Sequence, residues 1–309
     1  MPLNIYYNME QALVSGRKNR VDSRSPTLNL KRPAAAMKDP LEETVLGGKY
    51  FVLRKIGEGG CGRVYRGINL ETGQDVAIKT MQSCLAGNSD SVARFITEAA
   101  LGRWIEHPNS TRVIDLSLET TLRFFVMEYL DGDTLGNFIR KNGPLTWQQT
   151  RDILIPVCEA VTAVHDDGYI HRDIKPDNLF LLTNGTVKLL DLGLVIHAEE
   201  VAINEDVCFG TPEYMAPELI TGEKVDHRVD VYGLGATTYE MLTGVLPFGG
   251  RVIDRLFRAH LYETPDAPSV TIKDVPQEAD LIILRALAKD PDHRFQSVQQ
   301  FKQAIACVN

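Results

Sequence analysis

Four glycines, at positions 57, 59, 60 and 62, lie between two stretches in which apolar and polar residues alternate, Tyr50–Ile56 and Arg63–Asn69. Such alternation predicts β-strands, so the glycines join one strand to the next. A dinucleotide-binding fold requires a helix after its glycines, and no Gly-Lys-Ser/Thr triplet of a P-loop occurs here. The pattern therefore predicts a strand–turn–strand unit. An ordinary glycine-rich hairpin turn is the alternative.

A lysine and a glutamate in the next predicted elements are candidates for an ion pair. Lys79 lies near the end of a third apolar strand, Gln74–Met81, and a partly buried lysine needs an anionic partner. The predicted helix Ser91–Ile105 carries Glu98, which we expect to be that partner. Two surface side chains that make no lasting contact are the alternative.

The same predicted helix has Phe95, Ala99 and Trp104 broadly on one side, which indicates a face that is buried against strands. Two further strands are predicted at Thr111–Leu118 and Leu122–Glu128. Five antiparallel strands and one helix would form a small lobe.

After Leu130 the sequence is mainly helical. Thr146 and Gln149 form a capping box that begins a helix directed towards His165, and Pro156 inside it should bend the helix. Later helices are predicted at Val229–Leu242, Ala279–Ala288 and Ser297–Ala306. The predicted fold class is α+β and bilobal, with a small five-stranded lobe followed by a larger, mainly helical lobe.

The octapeptide at residues 171–178, His-Arg-Asp-Ile-Lys-Pro-Asp-Asn, must form a loop, because Pro176 can neither continue a helix nor donate to a strand ladder. It brings Asp173, Lys175 and Asn178 close together. These side chains can accept a proton, neutralise phosphate charge and bind a metal, which phosphoryl transfer requires. Alternatively, the octapeptide is an ordinary turn with a surface ion pair.

A further carboxylate follows a strand-like run at residues 187–190, in the tripeptide Asp191-Leu192-Gly193. Mg²⁺ prefers carboxylate and amide oxygens together with phosphate. Asp191 and Asn178 supply one side chain of each kind.

Taken in this order, the segments resemble the motifs of eukaryotic-type (Hanks-type) serine/threonine protein kinases, and the resemblance covers about residues 50–306. Residues 210–218 resemble the end of the family's activation segment. Leu192 stands where the family commonly has Phe. Lys175, two residues after Asp173, follows the serine/threonine kinase pattern, and the compact layout resembles bacterial members of the family.

The resemblance implies that ATP and Mg²⁺ are the cofactors and that proteins with Ser or Thr are the substrates. By this resemblance Asp173 orients the substrate hydroxyl and takes its proton, Lys79 and Lys175 stabilise phosphate charge, and Asn178 and Asp191 hold Mg²⁺. The other residues expected at the nucleotide site are Ile56, Gly57, Glu58, Gly59, Gly60, Cys61, Gly62, Arg63, Val64, Ala77, Glu98, Met127, Glu128 and Leu130.

Three structural contacts are also implied by the resemblance. Thr211 should contact Asp173 and Lys175. Glu218 should form a buried pair with Arg294. Asp230 should anchor the backbone of the catalytic loop.

The activation segment contains no Ser, Thr or Tyr between Asp191 and Thr211. Kinases with an Arg before the catalytic Asp, here Arg172, are often activated when a loop phosphate pairs with that Arg. Acidic residues are present in this segment instead, at positions 199, 200, 205 and 206. We hypothesise that a loop carboxylate pairs with Arg172 and allows activity without loop phosphorylation; an ordinary acidic loop is the alternative.

Two departures from the family pattern leave room for an alternative function. Leu192 and the small Gly102, one turn after Glu98, would suit a weakly active kinase or a pseudokinase scaffold that binds nucleotide and partner proteins. A pseudokinase would usually lack at least one of four residues, but all four are present here: Lys79, Asp173, Asn178 and Asp191. Cys61 in the glycine segment and Cys208 near the end of the activation segment suggest a redox-sensitive kinase, but free cysteines are more often inert small residues, and this is the interpretation we favour.

Composition limits the remaining classes. The net charge is −8; residues 1–40 hold seven Lys/Arg and three Asp/Glu, a charge of +4, which leaves −12 for the rest. An acidic body argues against nucleic-acid binding. Five scattered cysteines without a C-x-x-C pair argue against zinc and disulfides and favour a reducing compartment.

No apolar run approaches the roughly 18 residues of a membrane span, and the N-terminus does not resemble a secretory signal, so we expect a cytoplasmic protein. The predicted domains are a flexible basic arm at residues 1–47 and a kinase domain at 48–309, divided into lobes at 48–128 and 129–309. The sequence does not indicate an oligomeric state.

Overall fold

The computed structural model describes residues 39–59, 62–119, 121–200, 210–250 and 252–308. The predicted basic arm therefore lies outside the described residues, apart from positions 39–47. Gly60, Cys61 and Cys208 also lie outside them, as do the loop acids Glu205 and Asp206. The predicted boundary at residue 47 stays a prediction.

The small lobe is an antiparallel sheet of six strands among the described residues, in the order β1-β2-β3-β4-β6-β5. The strands are β1 (Val45–Leu46), β2 (Tyr50–Gly59), β3 (Gly62–Asn69), β4 (Asp75–Met81), β5 (Val113–Ser117) and β6 (Phe124–Glu128). The five predicted strands correspond to β2 to β6. The two residues of β1 are too few to show an alternating pattern.

Helix α1 (Ser89–Trp104) lies on this sheet, and the preceding residue Asn88 caps its start by accepting a hydrogen bond from the backbone N–H of Ser91 on its side chain. Phe95 and Ala99 are buried against side chains of β4, β5 and β6. Trp104 is 73% exposed, so its predicted place on that face is wrong. It follows Ala99 by five residues, which turns its side chain about 140° away from the buried face.

The large lobe is mainly helical, as predicted. Its helices are α2 (Leu135–Asn142), α3 (Trp147–Asp166), α4 (Pro217–Thr221), α5 (Arg228–Thr243), α6 (Ile253–Tyr262), α7 (Pro268–Thr271), α8 (Gln277–Ala286) and α9 (Val298–Ala306). Its short strands are β7 (Gly132–Thr134), β8 (Tyr169–Ile170), β9 (Leu179–Leu182), β10 (Val187–Leu189) and β11 (Ile196–His197). Strands β10, β9 and β7 form one antiparallel sheet, and β11 pairs with β8.

The core of the large lobe is built around α5, which is buried along nearly its whole length and contacts α3, α8 and α9. Helix α3 begins with the predicted capping box of Thr146 and Gln149, and it continues through Pro156. No helix in the described part of the chain is both long and apolar enough to cross a membrane.

A buried ion pair joins the start of α4 to the loop before α9. Both oxygens of the Glu218 carboxylate accept hydrogen bonds from the Arg294 guanidinium, at 2.6 and 2.7 Å. The two side chains are 4% and 0% exposed. Arg294 also donates to the carbonyls of Ala288, Arg228 and Lys289. The pair predicted from the resemblance is therefore confirmed.

We expect Arg294→Met to lower the free energy of unfolding by about 3–5 kcal/mol, because it leaves the Glu218 carboxylate buried without its partner. Urea denaturation measures this loss. Arg255→Met is the matched control: it breaks an ion pair whose side chains are 64% and 45% exposed, and should cost less than about 1 kcal/mol. Equal losses in the two variants would contradict the prediction.

Candidate active site

Two adjoining cavities of about 390 and 550 Å³ contain most of the residues that the sequence assigned to the site. The first is lined by Glu58, Gly59, Gly62, Val64, Lys79, Glu98, Met127, Asn178 and Asp191, among others. The second is lined by Ile56, Gly57, Val64, Ala77, Met127, Glu128 and Leu130, among others. Arg63, Asp173 and Lys175 line neither cavity.

Several lining residues were missed by the sequence analysis. They include Thr111, Val113, Leu189 and Leu190. These are small or apolar residues in or beside strands, and such residues form cores throughout the protein, so the sequence gives no sign that they face a cavity.

The glycine segment is a tight strand connection, as predicted. Gly59 at the end of β2 pairs with Gly62 at the start of β3. A Cβ atom at position 62 would lie 2.3 Å from the carbonyl oxygen of Thr80, so only glycine fits there. The side-chain amide of Gln82 donates to the carbonyl of Gly59 at 2.9 Å and holds the connection from the end of β4. Arg63 points to Glu58, with 3.1 Å between Nε and Oε1.

Lys79 on β4 and Glu98 on α1 form the predicted ion pair, with 2.5 Å between Nζ and Oε1. Their side chains are 12% and 8% exposed. Burial raises the pKa of Glu98 to about 7, although the charge of Lys79 opposes the shift. Lys79 also lies 3.6 Å from the Asp191 carboxylate and so connects two acids across the first cavity.

The Asp173 carboxylate is restrained on both oxygens. Oδ2 accepts hydrogen bonds from Lys175 Nζ at 2.7 Å and from Asn178 Nδ2 at 2.9 Å. Oδ1 accepts from the backbone N–H of Thr211 at 3.1 Å and from its hydroxyl at 2.7 Å. Lys175 also donates to the Thr211 hydroxyl. The predicted contacts of Thr211 with Asp173 and Lys175 are therefore confirmed.

The loop that carries Asp173 is attached to the core through Asp230 of α5, as predicted. This buried carboxylate accepts from the backbone N–H groups of His171 and Arg172, at 2.8 Å each, and lies 2.7 Å from His165 Nε2. Burial acts to raise the pKa of Asp230, but the contact with His165 and the backbone donor hold it below its usual range. Arg172 has a φ of 64° and donates from Nε to the carbonyl of Leu194. The hypothesis of a loop carboxylate on Arg172 stays a prediction.

Asn178 and Asp191 line the same cavity and suit a hard divalent cation. The amide nitrogen of Asn178 is used by Asp173, which leaves the amide oxygen as the group available to a metal. Loss of hydration acts to raise the pKa of Asp191, but Lys79 and the N–H of Gly193 hold it below its usual range, so the carboxylate is charged. No cluster of three or more His, Cys, Asp or Glu side chains that could hold a metal occurs among the described residues. The remaining ligands would come from phosphate and water.

Most of the chain is similar to a known protein family. A family model described as the protein kinase domain matches residues 50–305. The chain is 34% identical over 307 residues to serine/threonine-protein kinase Pkn1 of Myxococcus xanthus, an alignment that covers 94% of this chain and 44% of that protein.

Two other relatives have a similar sequence identity and coverage. Serine/threonine-protein kinase PrkC of Bacillus subtilis is 34% identical over 262 residues, 84% of this chain and 40% of its own length. Serine/threonine-protein kinase PknB of Mycolicibacterium smegmatis is 34% identical over 271 residues, which cover 85% of this chain and 43% of that protein. The chain thus spans less than half the length of these relatives.

The raised pKa of Glu98 predicts a pH-dependent contribution to stability. Between pH 4.5 and 7 the folded protein keeps a proton on Glu98 that the unfolded chain has released, so the contribution of this group to the free energy of unfolding falls as pH rises. Glu98→Gln removes this contribution. The difference in unfolding free energy between wild type and variant should therefore fall from pH 4.5 to 7 and level off above it. Urea denaturation at closely spaced pH values tests this, and a constant difference across the window would contradict it.

Proposed function

Because this chain belongs to the protein kinase family, we propose that it transfers the γ-phosphate of ATP to the Ser and Thr hydroxyls of proteins. The observation that carries the proposal is the restrained Asp173 carboxylate, held by Lys175, Asn178 and Thr211 beside a cavity that contains a buried Lys79–Glu98 pair. This combination supplies a proton acceptor and fixed positive charge in one site.

Each polar residue has a distinct task in the proposed reaction. Asp173 orients the substrate hydroxyl and accepts its proton, since its carboxylate is fixed before the substrate arrives. Lys175 bonds to Asp173 and stabilises the negative charge of the phosphate being transferred. Lys79, oriented by Glu98, directs its ammonium group at the phosphates of the nucleotide.

The family implies a divalent metal, and we propose that it is Mg²⁺ held by Asn178 and Asp191. One amide oxygen and one carboxylate match the preference of Mg²⁺ for a few oxygen ligands completed by phosphate and water. When bound, the ion would neutralise phosphate charge. The role of this chain is to keep Asp191 ionised through Lys79 and to orient the Asn178 amide through Asp173.

The nucleotide base is assigned to the apolar part of the cavities. Val64, Ala77, Met127 and Leu130 provide walls suited to a flat aromatic ring. In the proposed complex Gly57, Gly59 and Gly62 lie over the phosphates, where the absence of Cβ atoms lets backbone N–H groups approach their oxygens.

The proposed preference for Ser and Thr rests on Lys175 and on the similarity to bacterial serine/threonine-protein kinases. We place the protein in the cytoplasm, where ATP is available and where the free thiols of Cys84, Cys158 and Cys307 suit a reducing environment. Protein substrates are favoured over nucleic acid by the acidic net charge.

We expect Asp173→Asn to lower phosphate transfer by about three orders of magnitude or more while leaving Mg·ATP affinity within about threefold of wild type. The change removes the proton acceptor but keeps the shape of the side chain. Radiolabelled transfer to a generic basic protein and calorimetric nucleotide binding measure the two effects. Asp166→Asn, at an exposed acid at the end of α3, is the matched control and should be as active as wild type. Undiminished transfer by Asp173→Asn would disprove the assignment.

We further propose that the kinase is active without phosphate on its activation segment, because residues 192–210 contain no Ser, Thr or Tyr. Enzyme treated with a broad-specificity protein phosphatase, and shown by mass spectrometry to be unphosphorylated, should keep its specific activity within about twofold. A large loss of activity that is restored by rephosphorylation would contradict this.

A further inference from the structure

Behind the cavities, the segment between α1 and β5 lies against β10 of the large lobe. The backbone N–H of Leu189 donates to the carbonyl of Asn109 at 2.7 Å, and the Asn109 side chain donates to the carbonyl of Val187 at 2.8 Å. Thr111 donates to the carbonyl of Leu189 from its backbone and from its hydroxyl, at 3.0 Å each. These contacts attach the segment before β5 to β10 of the large lobe.

An ion pair crosses the same junction. Lys188 on β10 lies 2.8 Å from Glu128 on β6, measured from Nζ to Oε1, and the side chains are 14% and 26% exposed. Lys188 also donates to the carbonyl of Ser110 at 3.2 Å. The same Glu128 oxygen accepts from the backbone N–H of Arg112 at 2.8 Å. Both charged groups therefore have further partners that fix their positions.

The pair connects two segments that each contribute a wall to the cavities. Glu128 directly follows Met127, which lines both cavities. Lys188 precedes Leu189, Leu190 and Asp191, which all line the first cavity. The backbone hydrogen bonds reach β10 from the segment before β5, whereas the ion pair joins β10 directly to β6. The ion pair is therefore a direct side-chain contact between these two segments.

We propose that the Lys188–Glu128 ion pair is a positioning device that sets the width of the nucleotide site by holding β6 of the small lobe against β10 of the large lobe. The proposal rests on the proposed function in that it takes these cavities as the nucleotide site. Lys188 lines neither cavity, so it acts on the nucleotide through Glu128 and through the segment that leads to Asp191. It is a positioning residue and not a catalytic one.

The physical basis is a charge-assisted hydrogen bond that is largely shielded from water. Such contacts are stronger than exposed ion pairs, because the solvent screens them less. Binding of a rigid ligand between two walls gains most when the walls are already at the correct distance. Loss of the pair should therefore weaken nucleotide binding more than it slows the transfer step.

The test compares Lys188→Met, Glu128→Gln and the double variant with wild type. We expect each single variant to raise the dissociation constant for Mg·ATP, and the KM for ATP, by roughly fivefold to tenfold. For Lys188→Met, at a residue that lines neither cavity, kcat should stay within about twofold of wild type. The double variant should bind Mg·ATP with the affinity of whichever single variant binds it less tightly, because both changes remove the same contact.

Lys302→Met is the matched control. It breaks the Lys302–Glu159 pair, at 3.2 Å, which joins α9 to α3 inside the large lobe and makes no link between lobes. This variant should bind Mg·ATP like wild type. Thermal unfolding of all variants separates positioning from stability, since a purely structural role would lower the unfolding temperature without changing nucleotide affinity.

The inference is overturned if Lys188→Met leaves nucleotide affinity within twofold of wild type, if the effects of the two single changes add fully, or if Lys302→Met weakens binding equally. Failure of the proposed function gives a different result. Wild-type protein that binds Mg·ATP but transfers no phosphate would disprove the function, while weaker binding by Lys188→Met would still support the positioning role.

Discussion

The buried carboxylate of Asp230 is the group on which the arrangement of the site depends. It lies on the most buried helix of the large lobe and accepts hydrogen bonds from the backbone N–H groups of His171 and Arg172, beside the ring of His165. A buried charge is tolerated only when it is well partnered, so the carboxylate and its donors hold one another in place. The result is a left-handed backbone at Arg172, with φ of 64°, that an isolated loop would seldom adopt.

This attachment lets the loop present Asp173 with both oxygens already bonded. Two of the donors come from the loop itself, Lys175 and Asn178, and the third is Thr211 of the activation segment. In the proposed reaction the segment that receives a protein substrate and the group that accepts its proton thus share one hydrogen-bond network. Charges that are fixed in advance require little rearrangement during the reaction. Such fixed charges are the main way in which proteins stabilise the transition state of phosphoryl transfer.

The sequence allowed prediction of those features that have a local signal. The glycine connection, the capping box of α3 and the strand that carries Lys79 all follow from patterns within about ten residues. The Lys188–Glu128 pair could not be found in this way, because its members are 60 residues apart and each resembles an ordinary charged residue in a strand. Trp104 was placed on the wrong face because one apolar residue at the end of a helix satisfies a loose periodicity.

The two departures from the family pattern, Leu192 and Gly102, act on the same helix. Leu192 is buried with Leu101 and Ile105 at the end of α1 and so joins this helix to the large lobe. At Gly102 a Cβ atom would lie 2.6 Å from a methyl group of Val113, so the glycine lets α1 approach β5 closely. Since α1 carries Glu98, Leu192 and Gly102 both help to set the distance between Glu98 and Lys79. Glu98 and Lys79 form their buried ion pair with Leu192 and Gly102 at these positions, so neither departure prevents the contact on which the proposed nucleotide site depends.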